Sequence, residues 1–162
     1  MKQLGMIGFI LLAMISHGVL AANNMSFKGT LREDVPCEIN GGQPVNINFE
    51  TVGVNKIDGE RYKKTFSVRV TCPGGFDIPY KIYYLGQSSD FDTLALATNV
   101  KGLGIKAQWQ NNGVFTELSV GGAINGQADL DLHFQVVPVR QKNVELVPGA
   151  FNANALFRLE YD

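Results

Sequence analysis

"FNANALFRLEYD", residues 151–162, decides how the rest of the chain is read. Taken by twos, it sets Phe151, Ala153, Ala155, Phe157, Leu159 and Tyr161 on one face and Asn152, Asn154, Arg158 and Glu160 on the other, with Leu156 alone out of place. That alternation is the pattern of a half-buried β-strand. So clean an apolar face needs a neighbour along its whole length, and this strand is expected to be the last of the chain. Its cover must come from elsewhere.

Upstream the pattern is β throughout: short alternating runs are separated by clusters of Gly, Asn, Asp and Pro at the spacing of a sandwich. Met25, Phe27, Gly29 and Leu31 alternate with polar neighbours, and so do Val45, Ile47 and Phe49, ahead of a polar loop at 55–59. Phe66, Val68, Val70 and Cys72 make the strongest interior strand, stopped by Pro73-Gly74-Gly75. Strands are predicted over Ile78–Leu85, Leu103–Trp109 and Val114–Leu118, the last after an Asn111-Asn112-Gly113 turn. A polar excursion covers 87–93, and Leu130, Leu132, Phe134 and Val136 alternate before the loop carrying Pro148 and Gly149. About six main strands result, against the seven or more of an immunoglobulin-type sandwich. An apolar groove beside an unpaired edge would be an aggregation hazard.

The N-terminus bears on the compartment. Lys2 precedes an apolar stretch from Leu4 to Ile15, too short to span a bilayer comfortably. Val19-Leu20-Ala21 then offers small residues where a signal peptidase reads. A signal peptide over 1–21 is expected, with cleavage after Ala21 or alternatively Ala22. It would leave a single domain over 22–162, exported and soluble. With 14 Lys and Arg against 15 Asp and Glu, and no basic run, nucleic acid and anionic lipid are poor partners. Cys37 and Cys72 are the only cysteines, and an even count in an exported chain favours a disulfide. Without CxxC spacing, and with His133 the one histidine of the mature chain, a metal or redox pair is the weaker alternative.

Four features together resemble the pilin subunits of chaperone–usher fimbriae, over the whole mature chain. Tyr161 is penultimate, with Gly149 fourteenth from the terminus and alternating apolar residues between. The start reads "FKGTLREDVPCEI", the second cysteine closes "FSVRVTC", and "GLGIKA" runs from Gly102 to Ala107. The resemblance implies an incomplete immunoglobulin-like sandwich, lacking its seventh strand and completed in trans by a donor strand. It implies that Gly149, Phe151, Ala153, Ala155, Phe157, Leu159 and Tyr161 pair with a strand of a periplasmic chaperone, whose basic residues hold the carboxylate of Asp162. It implies that Met25, Phe27, Gly29 and Leu31, in an extension of about 22–31, become the donor strand for a neighbouring subunit, and that Cys37 and Cys72 link the first two strands. The other partners implied are an outer-membrane usher and neighbouring fimbrial subunits, among which an adhesin is one candidate. Only about five residues separate the expected mature terminus from Phe27. That short extension resembles minor tip or adaptor subunits of P-type fimbriae, with a terminator or anchor subunit as the alternative.

Two readings from other classes compete with this one. An enzyme needs a nucleophile, base and acid, and His133 sits in an alternating strand whose apolar neighbours point the other way. The carboxylate pairs Asp90/Asp92 and Asp129/Asp131 have spacing common on solvated strands. A small secreted carbohydrate-binding module would use Trp109, Tyr80, Tyr83 and Tyr84, but aromatics in strands are usually core or cross-strand pairs. No catalysis, cofactor, metal or small-molecule substrate is expected.

Overall fold

The computed structural model describes residues 25–31, 37–73 and 79–161. The expected signal peptide and Asp162 lie outside the described residues. The chain divides into two units, Met1–Glu33 and Asp34–Asp162. In the first, residues 25–31 carry no regular secondary structure, and Phe27 is 87% exposed.

The second unit is built from two antiparallel sheets. The larger contains β1 (Glu38–Ile39), β2 (Lys64–Thr71), β4 (Ser88–Ser89), β5 (Asp92–Ala97), β6 (Leu103–Asn111), β7 (Val114–Leu118) and β9 (Leu130–Arg140). Its path is β1-β2-β9-β6-β5-β4, with β7 hairpinned onto β6. The smaller is ordered β10-β3-β8, from β10 (Ala155–Tyr161), β3 (Pro79–Gly86) and β8 (Ala123–Gln127). Both sheets contribute to one core: Val68, Val70, Ile105, Leu132 and Phe134 from the larger, and Tyr80, Ile82, Tyr84 and Ile124 from the smaller. This is the all-β, immunoglobulin-like sandwich that the sequence led us to expect.

Alternation explains the register. Phe66 stands opposite Phe134 and Val68 opposite Leu132, so the apolar sets of β2 and β9 share one face. The Phe66 and Phe134 rings stack at 5.1 Å. Pro138, which cannot donate to a ladder, sits past the end of β2, where β6 is the partner of β9. The β6–β7 hairpin turns on Asn112 (φ 50°) and Gly113 (φ 83°), the two positive-φ positions of a type I′ turn.

Three expectations are corrected. Residues 43–53 form no strand, although Val45, Ile47 and Phe49 alternate, because no neighbouring strand pairs with them among the described residues. The final ladder begins at Ala155 rather than Phe151, since β3 ends opposite it at Gly86. Strands beyond those anticipated include β4, inside the supposed polar excursion, β5, partly inside it, and β8.

Candidate functional site

Among the described residues the last strand has one neighbour. β10 pairs with β3 from Ala155↔Gly86 to Tyr161↔Tyr80 and is the terminal strand of its sheet. Beside it opens a groove of about 1120 Å³, bordered by residues 148–157 and by residues 42–54. Its floor comes from the inward faces of β2, β6 and β9, through Phe66, Val68, Ile105, Ala107, Phe134 and Val136. Among the described residues Glu50 is the one charged residue in the lining. Such a site suits apolar side chains carried on an extended backbone and offers little to a charged ligand.

The half-buried state of the lining is its main energetic feature. Phe157 lies 5.0 Å from the ring of Phe134 and 5.6 Å from Tyr84, and Phe151 lies 5.9 Å from Phe49. Phe49, Phe66, Phe151, Ala153 and Phe157 pack on the core yet stay partly accessible. Full burial of an aliphatic or aromatic side chain stabilises by roughly 1.5–3 kcal/mol, so covering these residues would release a good part of that at each position. Two edges therefore combine, both without a ladder partner among the described residues: the outer side of β10 and the segment facing the same cavity.

The sequence-predicted residues divide between an open and a closed part. Gly149, Phe151, Ala153, Ala155 and Phe157 line the groove. A Cβ at Gly149 would meet no atom within 4 Å, so crowding within this chain does not account for the glycine. Leu159 packs on the core outside the lining. The Tyr161 hydroxyl accepts a hydrogen bond from the Cys37 backbone N–H, tying the end of β10 to the residue just before β1. Cys37 is bonded to Cys72, and the Cys72 N–H donates to Asp129 Oδ1 at 2.7 Å. Disulfide, Tyr161 and Asp129 thus close the sandwich at this end. Met25, Phe27, Gly29 and Leu31 belong to the first unit, and all are exposed.

Several residues that shape the groove were not anticipated. The hydroxyl of Tyr62 accepts from the Gly53 N–H at 3.1 Å. Arg140 donates to the carbonyls of Val54 (3.1 Å) and Val144 (2.7 Å), joining the two loops at the groove border. Ile57, Leu103 and Leu146 form a second apolar cluster, against which Val52, Val54 and Phe151 pack. Asn99 binds the backbone of residues 150 and 152. No periodicity marks these side chains, because the polar ones act through individual hydrogen bonds to backbone groups and the apolar ones meet from separate loops.

The sites weighed for rival functions are otherwise engaged. Tyr80 and Tyr84 are buried, and Trp109 packs against the core. Tyr83 lies under the Arg158 guanidinium at 5.6 Å. His133 is exposed with Nδ1 2.8 Å from Ser67 Oγ, while Asp129 and Asp131 pair with Arg69.

Comparison with known proteins agrees with this architecture. A family model described as "Fimbrial protein" matches residues 25–162. The chain is 30% identical to the fimbrial adapter PapF of Escherichia coli, over 95% of this chain and 96% of that one. It is equally similar, over the same shares, to the minor fimbrial protein PrsF of Escherichia coli. The solved structure of the P pilus adaptor subunit PapF superposes with a TM-score of 0.61 at 26% identity, covering 78% of this chain and 96% of that one.

Proposed function

Because this chain belongs to the fimbrial protein family, we propose that its open groove is an acceptor site for a β-strand from another polypeptide. The chain is a subunit of a surface fimbria. Its groove takes a strand of a periplasmic chaperone during export and exchanges it, at an outer-membrane usher, for the N-terminal extension of a neighbouring subunit. Met25, Phe27, Gly29 and Leu31 serve in turn as the donor strand of this subunit, after removal of a signal peptide over 1–21. The observation that carries the reading is the unpaired edge of β10 beside a groove whose aromatic lining is half covered. In β-augmentation the backbone bonds supply affinity and alternate side chains fill pockets. The relatives named as adapter and minor fimbrial protein, together with the short extension, support the role of a minor tip or adaptor subunit, next to an adhesin.

The test separates the two ends. Phe27→Asp leaves the chaperone complex intact but blocks entry into the fibre, because seating the donor would bury an unpaired carboxylate at a cost of several kcal/mol. Removal of Leu159 to Asp162 prevents chaperone capture, and the subunit is degraded. Pull-downs from periplasmic extracts and fibre counts read both. Phe27→Asp losing the chaperone while the truncated chain keeps it would reverse the assignment.

A further inference from the structure

The ladder between β10 and β3 stops at Ala155↔Gly86. One residue beyond Gly86, the Gln87 carbonyl accepts from the Ala97 N–H at 2.7 Å, so β3 has passed its edge to another segment. Among the described residues, 150–154 are thereby left without a strand neighbour, although Phe151 and Ala153 still pack on the core and line the groove.

Asn99, in the turn between β5 and β6, takes the missing place. Its backbone N–H donates to the Asn152 carbonyl at 3.2 Å, and its Oδ1 accepts from the Asn152 N–H at 2.7 Å. Its Nδ2 donates to the Ala150 carbonyl at 3.3 Å. One residue thus offers a donor and an acceptor to Asn152, as a paired strand would, and a further donor to Ala150. The neighbouring Thr98 fixes the turn: its Oγ1 accepts from the Val100 N–H at 3.1 Å and lies 3.0 Å from the Leu103 carbonyl. These are the only backbone hydrogen bonds of residues 150–154 among the described residues.

We infer that Asn99 is a positioning residue that sets the length of the acceptor edge, extending it from Ala155 back to Ala150 by holding one side of the segment extended so that the other side can pair with an incoming strand. This inference rests on the acceptor reading of the groove. The side chain required is specific. Aspartate would keep the acceptor for Asn152 but lose the donor to Ala150 and set a carboxylate against that carbonyl. Alanine would lose both side-chain bonds, leaving only the backbone donor.

The experiment is residue-resolved amide hydrogen exchange on the mature subunit, alone and in complex with its coexpressed periplasmic chaperone. In the wild-type complex the chaperone adds protection along 150–161. In Asn99→Ala the added protection stops at Ala155, and exchange at 150–154 rises by about tenfold or more, while 155–161 is unchanged. Asn99→Asp restores protection of the Asn152 amide but not the full extension, a partial rescue that general destabilisation would not give. Chaperone protection reaching residue 150 equally in Asn99→Ala, or stopping at Ala155 in the wild type, overturns the proposal. A chaperone that protects no part of 150–161 overturns the acceptor reading and the inference with it, whereas unchanged exchange at 150–152 in uncomplexed Asn99→Ala refutes the part of Asn99 alone.

Discussion

Tyr84 lines the groove from β3, and burial pushes its phenol up to about 12. The ordinary phenol value is about 10. A group whose folded value is raised contributes stability that is complete below its unfolded value and is lost as pH rises through the folded one. Stability should therefore fall between roughly pH 10 and 12, by about 3 kcal/mol for this residue. Tyr80 shifts in the same direction, first from burial and then from Asp129 and Tyr161. Denaturant unfolding across that window should give a shallower decline for Tyr84→Phe than for the wild type. A seated donor strand should move the Tyr84 ionisation higher still, read from phenolate absorbance in complex and alone. Tyr161 gives a second test at this scale. Tyr161→Phe keeps the ring and removes the acceptor for the Cys37 amide, so stability should drop by about 1 kcal/mol with chaperone capture retained. Loss of capture in Tyr161→Phe would mean that the hydroxyl serves the partner rather than its own chain.

At the scale of elements, the disulfide joins Cys37, just before β1, to Cys72, just after β2, in the one-step pairing Glu38↔Thr71 and Ile39↔Val70. β1 is two residues long, too short to hold itself by its ladder. Replacing both cysteines by serine should lower stability by roughly 2–5 kcal/mol, and equilibrium unfolding of the chaperone-released subunit with and without reductant measures it. The same elements mark where the sequence was legible. β2 and the first half of β9 follow from period-two alternation, because one face is buried and the other is not, and β10 alternates half-buried Phe157 and Leu159 with exposed Arg158 and Glu160. β5 and β8 were not legible, for local reasons. β5 reads "DTLALA", with little β-branching, and its Ala95 Cβ would lie 3.0 Å from a Cβ at Gly104, so small residues stand where the strands come closest. β8 carries Gly126, which reads as a breaker; a Cβ there would fall 2.2 Å from the ring of Tyr80, so the glycine makes room for a core tyrosine. Residues 43–53 show the opposite case, a strand-like sequence without a ladder. The groove followed from the final alternation, whereas its supports, Asn99, Arg140 and Tyr62, act through individual hydrogen bonds to backbone groups and leave no repeating mark.

For the whole molecule, a core left open along one side should make the isolated subunit self-associate, since the exposed groove and the free edge of β10 suit a second chain equally well. Light scattering of the subunit released from its chaperone should show oligomers, and adding a complementing strand should return a monomer; a stable, cooperatively unfolding monomer without any strand would count against the reading. The same edge has a mechanical meaning. β10 lies along β3 over its 7 residues, and a donor on its opposite edge would run along the same line. Tension carried through that donor into the next subunit then pulls lengthwise, as in a lap joint, so that the hydrogen bonds share the load at once instead of parting one by one as in a peeled hairpin. Rupture force measured by pulling single fibres should consequently grow with the number of engaged ladder positions, and a donor shortened at its far end should give way sooner.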